Sequence, residues 1–262
     1  MSSTNSLLNV AGLSKKFGGL LAVDDLSFSL HEGEILGIIG PNGAGKTTVF
    51  NLITGFIRPT SGRVIFKGLD ITGAKPEIVA RMGVARTFQN VRLFKSLTVL
   101  ENVMVAAQLY QRPKLAQVLL SSPAFMYRER ETRNLAMRWL SLLGLEDIAG
   151  VEAQSLAHGM QRRVELARAL ALSPQVLLLD EPAAGLNATE SAQLLDTIRM
   201  IRDQYSISIV IVEHVMPLVM NLCERLIVLN YGRAICEGTC EQVRSCPEVL
   251  QAYLGVAETA AR

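Results

Sequence analysis

The sequence lacks any apolar run long enough to cross a membrane. A membrane-spanning helix needs about 18 uninterrupted apolar residues, and no stretch of the chain provides them. The segment 1–6 is polar and contains no apolar signal-peptide core. We therefore expect the protein to remain in the cytoplasm.

An excess of either charge is also lacking. The chain has 26 Lys and Arg residues against 24 Asp and Glu residues, a formal net charge of +2. Proteins that bind nucleic acid through its phosphates usually carry a marked positive excess, so we expect no nucleic-acid partner. The hydrophobic content of 49% nevertheless predicts a compact chain with a sizeable core.

Cysteine is scarce and lies only towards the C-terminus, at Cys223, Cys236, Cys240 and Cys246. The spacing lacks the paired C-x-x-C arrangement of structural zinc sites. Because cytosolic proteins rarely hold disulfides, we expect ordinary reduced thiols.

Alternating apolar and polar residues predict strands near the N-terminus. Leu26, Phe28 and Leu30 alternate with serines, which is typical of a half-buried strand. Another short strand is expected over 63–67. We expect these early strands to be antiparallel, with short turns such as 67–70.

Four other segments are nearly continuous apolar runs, which is typical of strands covered on both faces by helices. Helical patterns separate most of them, so we expect a parallel α/β sheet. A last short strand is expected over 233–236. The four runs are 35–39, 176–179, 207–212 and 226–229.

The middle of the chain, about 91–150, has a helical character. Helices are expected over 98–109 and 126–143, with an interruption at 113–123. The charge run 129–133 predicts a solvated helix face. We interpret this region as a helical subdomain inserted into an α/β core.

A phosphate-binding loop is predicted at 40–47, which reads Gly-Pro-Asn-Gly-Ala-Gly-Lys-Thr and matches G-x-x-x-x-G-K-[ST]. It lies between an apolar run and a helical pattern at 46–54. Glycines let backbone N–H groups point at phosphate oxygens, and the helix adds its positive N-terminus. Lys46 is expected to neutralise the β- and γ-phosphates of a nucleotide, which the loop alone does not identify, and the Thr47 hydroxyl to ligate Mg²⁺. The predicted nucleotide-binding residues here are Gly40, Pro41, Asn42, Gly43, Ala44, Gly45, Lys46, Thr47 and Thr48.

A hydrolytic centre is predicted where two later strands end. Asp180 ends the run that begins at Val176, and an acid at this place holds Mg²⁺ in phosphate-loop enzymes. Glu181 follows and is our candidate for the general base that polarises water. His214 follows the next run and is placed to reach the γ-phosphate or the water.

The segment 155–163 resembles the signature loop of ABC ATPases. It reads Ser-Leu-Ala-His-Gly-Met-Gln-Arg-Arg and precedes a helical pattern. Gln89 resembles the Q-loop glutamine of this family, 184–187 resembles the D-loop, and His214 resembles the switch histidine. Phe17 lies where the family places an aromatic ring against adenine.

The resemblance covers about 7–254 and is closest to the ATP-binding subunits of branched-chain amino acid importers. The narrower match rests on 86–94, 180–187 and the ending Ala-Tyr-Leu-Gly at 252–255. It implies that Glu181, His214 and Gln89 are catalytic and that Thr47, Gln89 and Asp180 are metal ligands. It also implies further nucleotide contacts from Phe17, Leu156, Ala157, His158, Gly159, Met160 and Asn187.

The chain departs from the family pattern in its signature segment, which reads Leu-Ala-His-Gly-Met at 156–160, and at Asn187. Ala157 and Met160 replace a serine and a glutamine of the usual signature, L-S-G-G-Q. Gly159 and the helix N-terminus remain as phosphate donors, so we expect reduced but not abolished function of this loop. Asn187 stands where many members have Asp.

The implied fold class is α/β, a P-loop NTPase core of the ABC ATPase type with a mixed sheet, an antiparallel β subdomain and an inserted helical subdomain. The ATP-binding domain is predicted over 7–254, with its core at 7–91 and 152–237, the helical subdomain at 92–151, and a C-terminal helical tail at 238–262.

The implied function is ATP hydrolysis, with Mg²⁺, coupled to amino-acid import. The implied partners are two transmembrane permease subunits, a second ATP-binding subunit and an external solute-binding protein. The second ATP-binding subunit is expected to be a related chain rather than another copy, although the sequence itself leaves both open. The expected location is the cytoplasmic face of the cell membrane.

Two alternatives stay open at this point. One is an ABC ATPase acting on ribosomes or DNA, and the other is a non-hydrolysing regulatory subunit. A further hypothesis is that Val91, Leu93 and Phe94 line a groove for a partner's helix, with ordinary core packing as the alternative.

Overall fold

The computed structural model describes residues 6–110 and 123–259. Its strands, in chain order, are β1 (Ser6–Phe17), β2 (Leu20–His31), β3 (Ile35–Ile39), β4 (Ser61–Phe66), β5 (Leu69–Asp70), β6 (Val84–Arg86), β7 (Val176–Asp180), β8 (Ser208–Val212), β9 (Arg225–Asn230) and β10 (Arg233–Gly238). Its α-helices are α1 (Lys46–Ile53), α2 (Pro76–Arg81), α3 (Val99–Ala107), α4 (Pro123–Leu142), α5 (His158–Leu170), α6 (Ala188–Tyr205), α7 (Met216–Leu222), α8 (Cys240–Arg244) and α9 (Pro247–Thr259).

The strands form two sheets. The first is antiparallel, with the order β2-β1-β4-β5. The second has the order β10-β9-β3-β8-β7-β6, in which β10 is antiparallel to β9 and the other neighbours are parallel. The carboxyl ends of β3, β7 and β8 therefore meet at one edge, the place where α/β sheets bind ligands.

The core lies in two layers, one on each face of the larger sheet. Alternate side chains of one strand face opposite layers. Ile35 and Ile39 of β3 belong to the layer covered by most of the helices, whereas Leu36 and Ile38 belong to the layer shared with α1 and the antiparallel sheet. This sandwiching explains why the central strands are apolar without interruption.

The sequence predictions for these elements are largely confirmed. All four apolar runs are buried and form parallel strands, except that Ile207 precedes β8, and the early strands are antiparallel. The predicted four-residue turn at 67–70 is wrong in detail, because Leu69 and Asp70 pair with β4 and leave a two-residue turn at Lys67-Gly68.

The inserted region is helical, as predicted. It contains α3 and α4, and residues 128–131 on α4 are exposed. The predicted interruption at 113–123 lies outside the described residues, apart from Pro123 at the start of α4. Among the helices described, none is long and apolar enough to cross a membrane.

Candidate functional site

The phosphate loop connects β3 to α1, and its shape requires glycine at two positions. Gly40 has φ of +150°, and a Cβ there would lie 2.1 Å from the carbonyl oxygen of Leu229. Gly45 has φ of +101°, and its Cβ would lie 2.4 Å from the carbonyl oxygen of Ala22. Both backbones would have to move to accept any side chain.

Lys46 begins α1 and lies beneath this loop. Its Nζ donates to the carbonyl oxygens of Gly40, at 2.7 Å, and Pro41, at 3.0 Å. Burial lowers the pKa of Lys46, while the charges of Glu181 and Asp180 oppose that shift. The first N–H groups of α1 have no acceptors within the helix, so they and the ammonium form a site for phosphate.

A cleft of about 450 Å³ opens beside the loop. Ten of the predicted site residues line it: Phe17, Asn42, Gly43, Ala44, Gly45, Lys46, Thr47, Thr48, Gln89 and Glu181. Leu20, Leu21, Ala22 and Tyr231 also line the cleft, although no sequence motif marks them. Tyr231 is 85% exposed, so its ring stands free at the rim.

Two consecutive carboxylates lie at the end of β7. Asp180 is fully buried, and its Oδ2 accepts from the guanidinium of Arg86 at 2.7 Å. Burial raises the pKa of Asp180, and Arg86 opposes that rise. Glu181 has φ of +48°, a backbone conformation that is strained for a residue with a side chain and that is often found at functional sites.

The three predicted catalytic residues meet at one oxygen atom. The Nε2 atom of Gln89 donates to Oε2 of Glu181 at 2.9 Å. Nδ1 of His214 lies 3.9 Å from the same oxygen. The neighbouring Glu213 is fully buried and accepts from the backbone N–H of Ala183 at 2.8 Å, which anchors the end of β8 to the segment after β7.

The predicted metal ligands suit Mg²⁺. Thr47, Gln89 and Asp180 offer hydroxyl, amide and carboxylate oxygens, the hard donors that this ion prefers. Oδ1 of Asp180 is buried without a hydrogen-bond partner, so it can accept from a water of the ion's hydration shell. Gln89 uses its amide nitrogen for Glu181, which leaves its amide oxygen as an acceptor.

The predicted signature residues lie elsewhere. Ala157, Gly159 and Met160 line a second pocket between α5 and α6 that shares no lining residue with the phosphate cleft. Asn187 caps α6, because its Oδ1 accepts from the N–H of Glu190 and its own N–H donates to the Glu190 carboxylate. None of 156–160 and Asn187 therefore lines the cleft beside the phosphate loop of the same chain.

One face of α5 holds the segment 87–94, hereafter the Gln89 loop. Oε1 of Glu165 accepts from the N–H groups of Phe88 and Arg92, both at 3.3 Å. Arg162 donates to the carbonyl of Gln89 at 3.1 Å, and Arg168 donates to the carbonyl of Arg92. Sequence reasoning missed these α5 side chains, whose helical spacing alone predicts only a solvated face.

The apolar residues of the Gln89 loop differ in exposure. Leu93 packs against the core, as the packing alternative requires. Phe94 is 49% exposed, and the Arg168 guanidinium lies 5.4 Å from its ring centre. Phe94 thus offers an apolar surface to solvent.

Comparison with known proteins places this site in a family. Residues 23–184 match the family model of ABC transporters. The chain belongs to the ABC transporter family. LivG of Salmonella typhimurium, a high-affinity branched-chain amino acid transport ATP-binding protein, is 46% identical over 251 residues, which cover 96% of this chain and 98% of that protein.

Solved structures agree with this ABC assignment. The ADP conformation of MJ1267, an ATP-binding cassette of an ABC transporter, has a TM-score of 0.83 at 32% identity and covers 95% of this chain and 99% of its own. A dimeric structure of MJ0796, a bacterial ABC transporter cassette, has a TM-score of 0.76 at 26% identity. The match covers 89% of this chain and 98% of the MJ0796 chain. The predicted fold class and the prediction of an ATPase are confirmed.

Proposed function

We propose that this ABC ATPase is the subunit that hydrolyses ATP to drive import of branched-chain or related amino acids through separate membrane subunits. The observation that carries the proposal is the near full-length similarity to LivG. The geometry of the phosphate cleft supports the hydrolytic part, since Gln89 and Glu181 line it, the buried Asp180 precedes Glu181, and His214 lies 3.9 Å from the Glu181 carboxylate.

The residues of the cleft have separable roles in this proposal. The phosphate loop and Lys46 bind the β- and γ-phosphates, and Phe17 stacks on the adenine ring. Glu181 accepts the proton of the attacking water, Gln89 donates to its carboxylate, and His214, which lies beside that carboxylate, contacts the γ-phosphate. Thr47, Gln89 and Asp180 would hold Mg²⁺, which neutralises phosphate charge when bound.

A second ATP-binding subunit completes the site. None of the signature residues 156–160 lines the phosphate cleft of its own chain, so each ATP would be bound by the phosphate loop of one subunit and the signature loop of the other. A head-to-tail pair satisfies this with two-fold or pseudo-two-fold symmetry. We expect a related chain as the second subunit, and weaker phosphate binding at this chain's signature loop because Ala157 lacks a hydroxyl.

Membrane subunits complete the transporter. The exposed Phe94 ring belongs to the Gln89 loop, so a permease helix docked on it would sense movement of that loop. The proposal places the chain as a peripheral protein at the cytoplasmic face of the membrane, with two permease subunits and an external solute-binding protein. LivG-like relatives favour this over action on ribosomes or DNA.

Co-purification tests the proposal. The chain would be tagged in its own cell, membranes solubilised gently, and the bound proteins identified by mass spectrometry. We expect two very hydrophobic permease chains and a second ATP-binding chain, in a preparation that hydrolyses ATP. Ribosomal or nucleic-acid-processing proteins in their place would overturn the transport function.

A further inference from the structure

Arg86 ends β6, three residues before Gln89, and its side chain reaches three parts of the nucleotide site. Only 4% of the side chain is exposed. One guanidinium nitrogen donates to Oδ2 of Asp180 at 2.7 Å. The other terminal nitrogen, Nη1, donates to Oδ1 of Asn51, on α1, at 2.7 Å and lies 3.4 Å from Oγ1 of Thr54.

Two aromatic rings hold the guanidinium in place. Its central carbon lies 5.4 Å from the ring centre of Phe50, on α1, and 4.9 Å from that of Phe88, in the Gln89 loop. A planar guanidinium can stack on rings while its nitrogens bond in two directions, which an ammonium cannot do. The contact set is therefore specific for arginine.

Arg86 leaves the two oxygens of Asp180 in different states. Oδ2 is occupied by the guanidinium, whereas Oδ1 is buried with no hydrogen-bond partner. A carboxylate clamped at one oxygen cannot rotate freely, so the same oxygen is always the one that remains free. That free oxygen is the acceptor required of a residue that holds Mg²⁺ through water.

We propose that Arg86 is a positioning residue that fixes the carboxylate of Asp180 for Mg²⁺ and ties it to α1 and to the Gln89 loop. This rests on the proposed function, in which Asp180 is a metal ligand. A shift of the Gln89 loop at Phe88 would then be transmitted to Asp180 and to α1, because the buried side chain of Arg86 contacts all three.

The test compares ATP binding with and without Mg²⁺. Titration calorimetry of the full chain with a non-hydrolysable ATP analogue would be run in Mg²⁺ and in EDTA, and the ratio of the two affinities gives the Mg²⁺ contribution. Arg86→Lys and Arg86→Gln should each lower this ratio by about tenfold, the loss of one charge-assisted hydrogen bond, with little change in EDTA.

A matched control uses another arginine–carboxylate pair. Nε of Arg225 lies 2.8 Å from Oε1 of Glu34, at the amino ends of β9 and β3 and so at the edge of the sheet opposite the cleft. Arg225→Lys should leave the Mg²⁺ contribution unchanged. Circular dichroism shows whether each variant is folded. If Arg86→Gln does not fold, the Mg²⁺ contribution measured for Arg86→Lys, which keeps the charge, tests the proposal.

Two results would overturn the inference. One is an unchanged Mg²⁺ contribution in a folded Arg86→Lys variant. The other is an equal loss of affinity with and without Mg²⁺, which would assign Arg86 to the shape of the phosphate loop alone. Asp180→Asn separates this from the proposed function: if that variant keeps the full Mg²⁺ contribution, the metal role of Asp180 fails, whatever Arg86 does.

Discussion

Replacing Glu165 by alanine should loosen the Gln89 loop and destabilise the protein measurably. Glu165 is 5% exposed, and its Oε1 is the shared acceptor for the N–H groups of Phe88 and Arg92. A fully buried donor that loses its partner costs about 1–3 kcal/mol, and these two donors are only partly buried. Both contacts are long, at 3.3 Å, so we take the lower half of that range and expect a loss of about 2–4 kcal/mol in the free energy of unfolding.

Glu165→Gln is the matched variant, because its amide oxygen can still accept from both donors. The neutral amide is a weaker acceptor than the carboxylate, but it also buries no charge. We therefore expect a loss of about 1 kcal/mol or less in the free energy of unfolding. Urea unfolding can be followed by the fluorescence of Trp139, the single tryptophan. It is buried, and its ring centre lies 4.7 Å from that of Tyr205. An alanine variant as stable as the glutamine variant would refute the reasoning.

The burial of Glu165 also predicts how the stability of the protein changes as the pH falls. Burial raises the pKa of Glu165 in the folded protein above its ordinary value of 4.5. The folded state then binds a proton before the unfolded state does, so this group's contribution to stability rises as pH falls through the folded pKa towards 4.5. The stability difference between the wild type and Glu165→Gln should move in favour of the wild type over that interval. A constant difference would contradict the assignment.

Three further substitutions test the site. Glu181→Gln should bind ATP, hold the closed pair of subunits and hydrolyse very slowly, since the base is lost; normal phosphate release would mean that another group is the base. Gly45→Ala should abolish binding of a fluorescent ATP analogue, because its Cβ would lie 2.4 Å from the Ala22 carbonyl, and retained binding would show that the loop can adapt. Phe94→Ala should keep ATP binding but uncouple ATPase activity from transport, and unchanged transport would reject the docking role.

The central sheet could be predicted from the sequence because its strands are buried on both faces. The elements that escaped prediction have weaker patterns. The pairing of β1 is interrupted by register shifts, and Gly12 within it has φ of +59°, so its apolar residues do not alternate regularly. The strand β6 has only three residues, too few to show a period.

The site was predictable to the extent that it is made of motifs. The phosphate loop, Asp180 and Glu181 each directly follow an apolar strand, so their place at the edge of the sheet can be inferred from the local sequence. Arg86 and Glu165 act through contacts between segments far apart in the chain, such as the 94 residues that separate Arg86 from Asp180, and Tyr231 reaches the cleft only through the fold. A single sequence does not encode such pairings in any local pattern.

Reconstituted transport tests the central claim most directly. The complex purified through this chain would be placed in lipid vesicles with its solute-binding protein, and uptake of radiolabelled leucine would be measured with and without ATP. We predict ATP-dependent uptake that is lost when Glu181→Gln replaces the wild-type chain. Uptake that needs no ATP, or that continues unchanged with this variant, would show that hydrolysis at this site does not drive transport.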